Sequence, residues 1–130
     1  MIEQDLVTYL TTATSGTLIG GKVYYHRVPK DVKMPWIIIG SAGGTHRPFV
    51  RTKGKMIADE NYQIFVDDEL QFRGRDVAAA VAHDLEEYRG NMGNSFDVYI
   101  QCDAVRDLET LQGGFRYLIP IRVRYRYTNS

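Results

Sequence analysis

The sequence is poor in the two features that would place a protein in an oxidising compartment or in a bilayer. It has a single cysteine, Cys102, which excludes an internal disulfide bond and suits a reducing environment. Its purely apolar runs, such as the one from Trp36 to Ile39, are far shorter than the roughly 20 residues that a membrane-spanning helix needs. The first residues also lack the basic start of a signal peptide. We therefore expect a soluble protein that is made in a cytoplasm and has no membrane partner.

An excess of charge of either sign is missing too. The chain has 16 lysines and arginines and 16 aspartates and glutamates, so its formal net charge at pH 7 is zero. A neutral protein generates no overall field that attracts nucleic acid or an anionic membrane, so any electrostatic effect has to be local. With 130 residues, 44% of them hydrophobic, the chain has the size and composition of a single globular domain spanning 1–130.

Catalytic and metal-binding signatures are absent as well. The three histidines stand in no pattern typical of metal ligands. The glycine-rich stretch 40–44 leads into a basic loop and not into a helix, which excludes a dinucleotide-binding motif. The acidic residues at 59–60 and at 67–69 flank opposite ends of one predicted strand, about 20–25 Å apart, which is too far to share a metal ion. We therefore expect no enzyme, no cofactor and no bound metal.

What the sequence does contain is a long alternating segment at its C-terminal end. From Phe115 to Tyr127 every odd position is apolar or aromatic, whereas arginine occupies most of the even positions. Because successive side chains of a strand point to opposite faces, this pattern predicts one long strand with a core face and a cationic face. At about 3.3 Å per residue the strand reaches roughly 40 Å, about twice the usual length. The arginines of its cationic face are Arg116, Arg122, Arg124 and Arg126.

The other elements follow from the spacing of apolar residues. Three- and four-residue spacings predict helices over 2–13 and 72–89, the second of them ended by Gly90. Pro120 predicts that the last strand lies at an edge of the sheet, because a central strand would lose a hydrogen bond there. The order of elements predicts an α+β fold, with a mostly antiparallel twisted sheet, two helices packed on one face and a long C-terminal β-ribbon. The remaining strands are predicted at 23–25, 34–40, 61–67 and 96–108.

Two more groups of charged residues mark candidate surfaces. The connection 42–58 contains glycines and a proline, and loops of this length are uncommon unless they are functional or disordered. All of its charged residues are basic, whereas an acidic cluster ends the strand predicted at 61–67. The basic residues of the connection are Arg47, Arg51, Lys53 and Lys55, and the acidic cluster consists of Asp67, Asp68 and Glu69.

Local patterns distributed over essentially the whole chain carry a family resemblance. They are the N-terminal helix with the Gly20-Gly21 turn after it, Val23-Tyr24-Tyr25 followed by Pro29, the strand entry Met34-Pro35-Trp36-Ile37-Ile38, the strand Tyr62-Gln63-Ile64 before an alanine-rich helix, and Arg106-Asp107-Leu108 followed by Phe115-Arg116-Tyr117. In pattern and order they resemble the tail-completion or tail-terminator proteins of long-tailed bacteriophages. None of these patterns is a catalytic signature.

The resemblance implies a structural role in the virion and no enzymatic activity. Proteins of this family form a six-fold ring that caps the growing tail tube, stops its polymerisation and offers the surface to which the filled head attaches. For this chain it implies a homohexameric ring at the head-proximal end of the tail. The implied partners are the tail tube protein and a head connector or stopper protein, with DNA only passing through the channel.

A head-to-tail ring needs two unlike surfaces on each subunit. We expect the basic residues of the connection 42–58 to meet the acidic cluster of a neighbouring subunit, and Arg122, Arg124 and Arg126 to contact a neighbouring subunit or the tail. The alternative is a small α+β nucleic-acid-binding module that uses the basic loop and the arginine-rich last strand. The aromatic residues of that strand alternate onto the face opposite the arginines, which argues against a base-stacking platform.

Overall fold

The structure, a computed structural model, describes residues 2–42, 51–52, 55–109 and 113–128. Within these residues the chain forms three helices and eight strands. None of the described helices is both long enough and apolar enough to cross a membrane. The helices are α1 (Ile2–Thr12), α2 (Thr14–Leu18) and α3 (Gln71–Leu85), and the strands are β1 (Val23–Tyr25), β2 (Trp36–Ser41), β3 (Arg51–Thr52), β4 (Lys55–Asp68), β5 (Arg89–Met92), β6 (Ser95–Cys102), β7 (Arg106–Glu109) and β8 (Phe115–Thr128).

The strands form one sheet in the order β1-β2-β4-β8-β6-β5, with β3 beside β4 and β7 beside β8. Among the described strands only β1 and β2 run parallel, and every other pair is antiparallel. The predicted fold class, an α+β domain with a mostly antiparallel sheet and a long C-terminal strand, is therefore confirmed.

The centre of the sheet is the pair β4 and β8, two strands of 14 residues that are in register along their whole length. Alternation decides which side chains are buried, because Ile119 and Val123 of β8 and Ile64 and Val66 of β4 are fully inaccessible to solvent. The strand predicted at 61–67 is therefore longer than expected. Its first half pairs with the end of β8, so residues 55–58 belong to a strand and not to the predicted connection.

The helices cover one face of this sheet and share a single hydrophobic core with it. Helix α1 buries one stripe, Ile2, Leu6 and Leu10, at the spacing that its sequence predicts. Helix α3 buries Val77, Val81 and Leu85. The short helix α2 was not predicted, and it packs against the end of α1 at Gly16, where an added Cβ would collide with the carbonyl oxygen of Leu10.

Three sequence predictions about element ends are wrong. Helix α3 ends at Leu85 rather than at 89, because Tyr88 already accepts a backbone hydrogen bond from Ile100 of β6 (3.1 Å) and so belongs to the sheet. Gly90 consequently lies in β5 and not at the helix end. The segment 96–108, predicted as one strand with a bulge or bend near Ala104 and Val105, is divided there into β6, which ends at Cys102, and β7, which begins at Arg106.

Pro120 does not mark an edge of the sheet. Strand β8 has β4 on one side and β6 followed by β7 on the other. Pro120 lies at the interval where its neighbour changes from β6 to β7, and its carbonyl accepts a hydrogen bond from the amide of Asp103 (2.9 Å). The missing N–H of a proline is tolerated wherever the ladder is interrupted, and an edge is only one such place.

Candidate functional site

The side of the sheet opposite the helices carries several of the charged residues that the sequence singles out. Cross-strand register places Asp59 of β4 and Tyr99 of β6 on either side of Arg124 of β8. One step along, Arg122 stands between Asn61 and Gln101 in the same way, because paired residues point to the same face. We call this surface the arginine face, and it consists of Asp59, Arg89, Asp97, Tyr99, Gln101, Arg122, Arg124 and Arg126.

Asp59 is the central anion of the arginine face. It accepts two hydrogen bonds from Arg122, from Nε at 2.8 Å and from Nη2 at 2.5 Å, and Nη2 of Arg124 lies 3.6 Å away. The hydrogen bonds from Arg122 hold the pKa of Asp59 below its ordinary value, in spite of the opposing effect of burial. The carboxylate is nearly covered, with 8% of its side chain exposed, whereas the two arginine side chains remain 57% and 59% exposed. Asp59 thus fixes the direction of two cations that still reach solvent.

The same face continues toward the outermost strand. Nε of Arg126 lies 3.5 Å from a carboxylate oxygen of Asp97, and both side chains are more than half exposed. The guanidinium of Arg89, on β5, stacks over the ring of Tyr99 at 4.6 Å from its centroid. The face therefore combines four arginines with two aspartates, and it is locally cationic on a neutral protein.

A hollow in the arginine face is lined by Tyr99, Gln101, Arg122 and Arg124 and has a volume of about 170 Å³. It adjoins a wider and more open groove of about 630 Å³, whose wall includes Glu86, Glu87 and Asp103. Guanidinium, amide and phenol groups all donate hydrogen bonds, so the chemistry of the hollow suits an oxyanion such as a carboxylate.

The remaining arginine of the predicted cationic strand has a structural role. Arg116 donates to both oxygens of Asp67, at 2.7 and 2.9 Å, and its guanidinium stacks over Phe65. The indole N–H of Trp36 also donates to Asp67, at 2.9 Å. The hydrogen bond to Asp67 raises the pKa of Arg116. This cluster joins β2, β4 and β8 on the outer face of the sheet.

Asp68 connects β4 to α3 and is fully buried. It accepts a hydrogen bond from the amide of Leu70 (3.0 Å) and two from Arg73, at 2.7 Å from Nε and 2.6 Å from Nη2. Burial by itself raises the pKa of Asp68, but the hydrogen bonds from Arg73 and Leu70 outweigh it and bring the pKa below its ordinary value.

The structure thus separates the predicted interface residues into groups. Asp67 and Asp68 are buried and bound within the chain, whereas Glu69 is exposed. The interface role of all these residues stays a prediction. Arg122, Arg124 and Arg126 lie together on the arginine face, Arg51 and Lys55 are described only as paired backbone positions of β3 and β4, and Arg47 and Lys53 lie outside the described residues.

Sequence reasoning missed a buried carboxylate in the core. Glu60 is 8% exposed and accepts hydrogen bonds from the hydroxyl groups of Tyr125 (2.7 Å) and Tyr62. Burial, followed by the neighbouring carboxylate of Glu60, raises the pKa of Tyr62. Glu60, Tyr62 and Tyr125 alternate along their strands with residues of the outer face. This alternation was the signal that could have predicted their burial.

Among the described residues no cluster of three or more histidine, cysteine, aspartate or glutamate side chains has the arrangement of a metal site. Cys102 is half-buried, and burial, with a smaller effect from the charge of Glu86, raises the pKa of its thiol to about 12. A thiol with such a pKa remains protonated at neutral pH and is a poor nucleophile.

Comparison with known proteins gives one kind of match. No model of a known protein family matches the chain, and no curated protein sequence matches it either. Among solved structures, the chain is similar to a protein of the virion of a native gene transfer agent particle, with a TM-score of 0.70 and 17% sequence identity. The match covers 92% of this chain and 90% of the other. At this level of identity the similarity establishes a shared fold over the matched part of the two chains.

Proposed function

We propose that the chain is a structural protein of a phage-like virion and not an enzyme. The observation that carries the proposal is the full-length fold similarity to a protein of a gene transfer agent virion, with neither chain extending far beyond the match. The finer part of the proposal is that the protein caps the tail tube at its head-proximal end as a homohexameric ring. In that place it ends polymerisation of the tube and offers the surface to which a head connector or stopper protein attaches, while DNA passes through the channel.

The arginine face supplies a surface that suits such contacts. Its cations are exposed by more than half, and Asp59 and Asp97 hold them in defined directions. A guanidinium that is already oriented loses less conformational entropy when it binds a partner carboxylate. We therefore assign Arg122, Arg124 and Arg126, together with the exposed Glu69 and the basic positions Arg47, Arg51, Lys53 and Lys55, to subunit or tail contacts.

The direct test adds the purified protein to tail tubes that are polymerising from their purified tube protein. We expect rings at one end of each tube by negative-stain imaging, and tubes that stop elongating once they are capped. Ring-shaped density with six-fold symmetry at the tube ends would support the hexamer. Unchanged elongation, with no protein bound at the tube ends, would refute the capping role.

A second candidate, a nucleic-acid-binding module, gains support from one structural detail. Phe115, Tyr117 and Tyr125 of β8 pack in or against the core, but Tyr99 and Phe96 of β6 pair with Arg124 and Arg126 and so share their face. Cations among aromatic rings are typical of single-strand binding surfaces. The neutral total charge and the aspartates of the face weigh against it. A shift of single-stranded DNA in a gel at moderate salt, by a protein that leaves tubes uncapped, would favour this candidate.

A further inference from the structure

Each of the two outermost strands of the sheet, β1 and β5, adjoins a charged segment, and the two segments carry charge of opposite sign. Strand β1 leads into a connection that is rich in cations, whereas the turn before β5 is acidic. We call the first segment the basic edge and the second the acidic turn. The basic edge consists of Lys22, Arg27, Lys30 and Lys33, with Asp31 as its one anion, and the acidic turn consists of Glu86 and Glu87.

The basic edge has a defined backbone. Nζ of Lys22 donates to the carbonyl of Lys33 at 2.8 Å, which closes the base of the connection. The amide of His26 donates to the carbonyl of Ile39 on β2 at 2.9 Å. The side chains of Arg27, Lys30 and Lys33 are exposed, and none of them forms an ion pair with a residue that the structure describes. Three exposed cations are thus presented on an ordered support, and none of them is paired with a described anion.

The acidic turn is equally well fixed. The amide of Tyr88 donates to the carbonyl of Leu85 at 3.0 Å, and the carbonyl of Tyr88 accepts from Ile100 of β6 at 3.1 Å. Glu87 has a left-handed backbone with φ of 55°, which makes the chain reverse sharply at this point. Both glutamates are exposed, and neither has an ion pair within the described chain.

Strand order places the two segments beside the two end strands of the sheet, β1 and β5. Within the described chain neither segment forms an ion pair with the other, so the charges of both remain available to a second molecule. Opposite charges on different surfaces of a neutral subunit are complementary between molecules in the head-to-tail manner that closes a ring.

We infer that the basic edge of one copy binds the acidic turn of a second copy, an inference that rests on the ring proposed above and names its subunit contact. A DNA partner for the basic edge is less well matched. The positive charge of this edge is balanced by an acidic segment of the same protein, and the total charge is zero. A DNA-binding surface has no need of such a counterpart, whereas a self-complementary subunit does.

Charge reversal followed by its compensation tests this contact. One variant carries Arg27→Glu and Lys30→Glu, a second carries Glu86→Lys and Glu87→Lys, and a third carries all four substitutions. Self-association is measured by sedimentation at low salt, and contacts are mapped with a carbodiimide that joins a carboxylate to a neighbouring amine. The control is Arg75→Glu, which reverses an exposed arginine of α3 that belongs to neither segment.

We expect wild-type cross-links between Lys30 or Lys33 of one copy and Glu86 or Glu87 of another. Each pairwise reversal weakens self-association by roughly tenfold or more, because like charges then face each other, and the fourfold variant regains it. The Arg75→Glu control associates like the wild type.

Three results overturn the inference: absence of cross-links between these segments in the wild type, a fourfold variant that does not recover, or a basic-edge variant that loses retention of duplex DNA while it still self-associates. Its failure is distinct from failure of the proposed function. If the reversed variants still form rings at tube ends, this contact is refuted and the capping role stands. If the protein shows cross-links between the basic edge and the acidic turn but never caps tubes, this contact stands and the capping role is refuted.

Discussion

Asp68 shows how one buried carboxylate defines a junction between a strand and a helix. It satisfies the amide of Leu70 at the start of α3 and forms a two-bond ion pair with Arg73. The amide of Leu70, the residue immediately before the helix, therefore has a partner at the point where the chain enters α3. The sequence places Asp68 in an acidic cluster, but the cluster's members have separate roles, because Asp67 faces the outer surface with Arg116 while Asp68 faces the helix.

The substitution Asp68→Asn removes the charge at nearly constant volume. We expect it to lower the free energy of unfolding by about 1–3 kcal/mol at neutral pH, since hydrogen bonds to charged groups contribute about that much. The pKa of Asp68 is lowered in the folded state, so its contribution is fully present above its ordinary value of 3.8 and disappears as the pH falls through the folded-state pKa. Urea unfolding between pH 7 and pH 2 should therefore show two curves that converge at acid pH.

A matched control for this prediction is Asp97→Asn, which removes an exposed carboxylate with a single long contact to Arg126. Exposed pairs contribute little, and we expect a change within about 0.5 kcal/mol. A constant difference between Asp68→Asn and wild type across the whole pH range would show that the charge of Asp68 is not what stabilises the junction.

At the scale of elements, α3 lies unusually close to the sheet at Gly74. A Cβ built on this residue would be 3.0 Å from the Cβ of Asp68 and 3.0 Å from Cε2 of Tyr117. Both neighbours are buried, and the hydroxyl of Tyr117 donates to the carbonyl of Gln71 in the first turn of the helix. The glycine therefore sets the distance between α3 and β8.

The substitution Gly74→Ala has two opposing effects on the free energy of unfolding. Alanine is favoured over glycine in a helix by about 1 kcal/mol, but overpacking at a buried contact costs about 1–3 kcal/mol. We expect a net loss of about 1 kcal/mol in urea unfolding, since neither Asp68 nor Tyr117 is free to move away. The reverse change at an exposed site of the same helix, Ala79→Gly, measures the propensity effect alone. A more stable Gly74→Ala protein would mean that the ring of Tyr117 shifts without cost.

The elements also show which parts of the fold a local sequence pattern predicts. Strand β8 was predicted because alternation over 14 residues is a local signal, and it is observed at Phe115–Thr128. The first half of β4 was missed because 55–61 is rich in charged and polar residues with low strand propensity. It becomes a strand through its pairing with β8, which lies more than 60 residues away and which a local pattern does not encode.

The arginine face was predicted only in part for the same reason. The positions of Arg122, Arg124 and Arg126 on one face follow from alternation, but Asp59, Tyr99 and Arg89 join them through the register of three other strands. The partners of a sheet residue are set by which strands are neighbours, and strand order was not readable from the sequence.

At the scale of the whole molecule, the neutral total charge conceals separate charged surfaces. The arginine face lies on the open side of the sheet, the basic edge and the acidic turn lie at its two margins, and the helices occupy the remaining side. A subunit with several distinct surfaces has what a ring needs when it must bind its own copies around the ring and different partners above and below.

One substitution tests whether the arginine face takes part in capping and leaves the fold almost unchanged. Arg126 is 52% exposed, and its one ion pair with a described residue is a 3.5 Å contact with the exposed Asp97, so Arg126→Glu should alter the free energy of unfolding by no more than about 0.5 kcal/mol. If the face contacts the tail or a neighbouring subunit, the reversed charge should nevertheless reduce the fraction of capped tubes in negative-stain images several-fold.

Arg106→Glu is the matched control for that comparison. Arg106 is 62% exposed and lies 3.9 Å from Asp103, which is itself 66% exposed, so the two arginines have similar surroundings but lie on different strands. Equal loss of capping in both variants would indicate a general effect of charge, and normal capping by Arg126→Glu would remove the arginine face from the interface. Loss in Arg126→Glu alone, with both proteins folded and equally stable, would place the tail or subunit contact on the arginine face, since a charge reversal acts at full strength only where a partner excludes solvent.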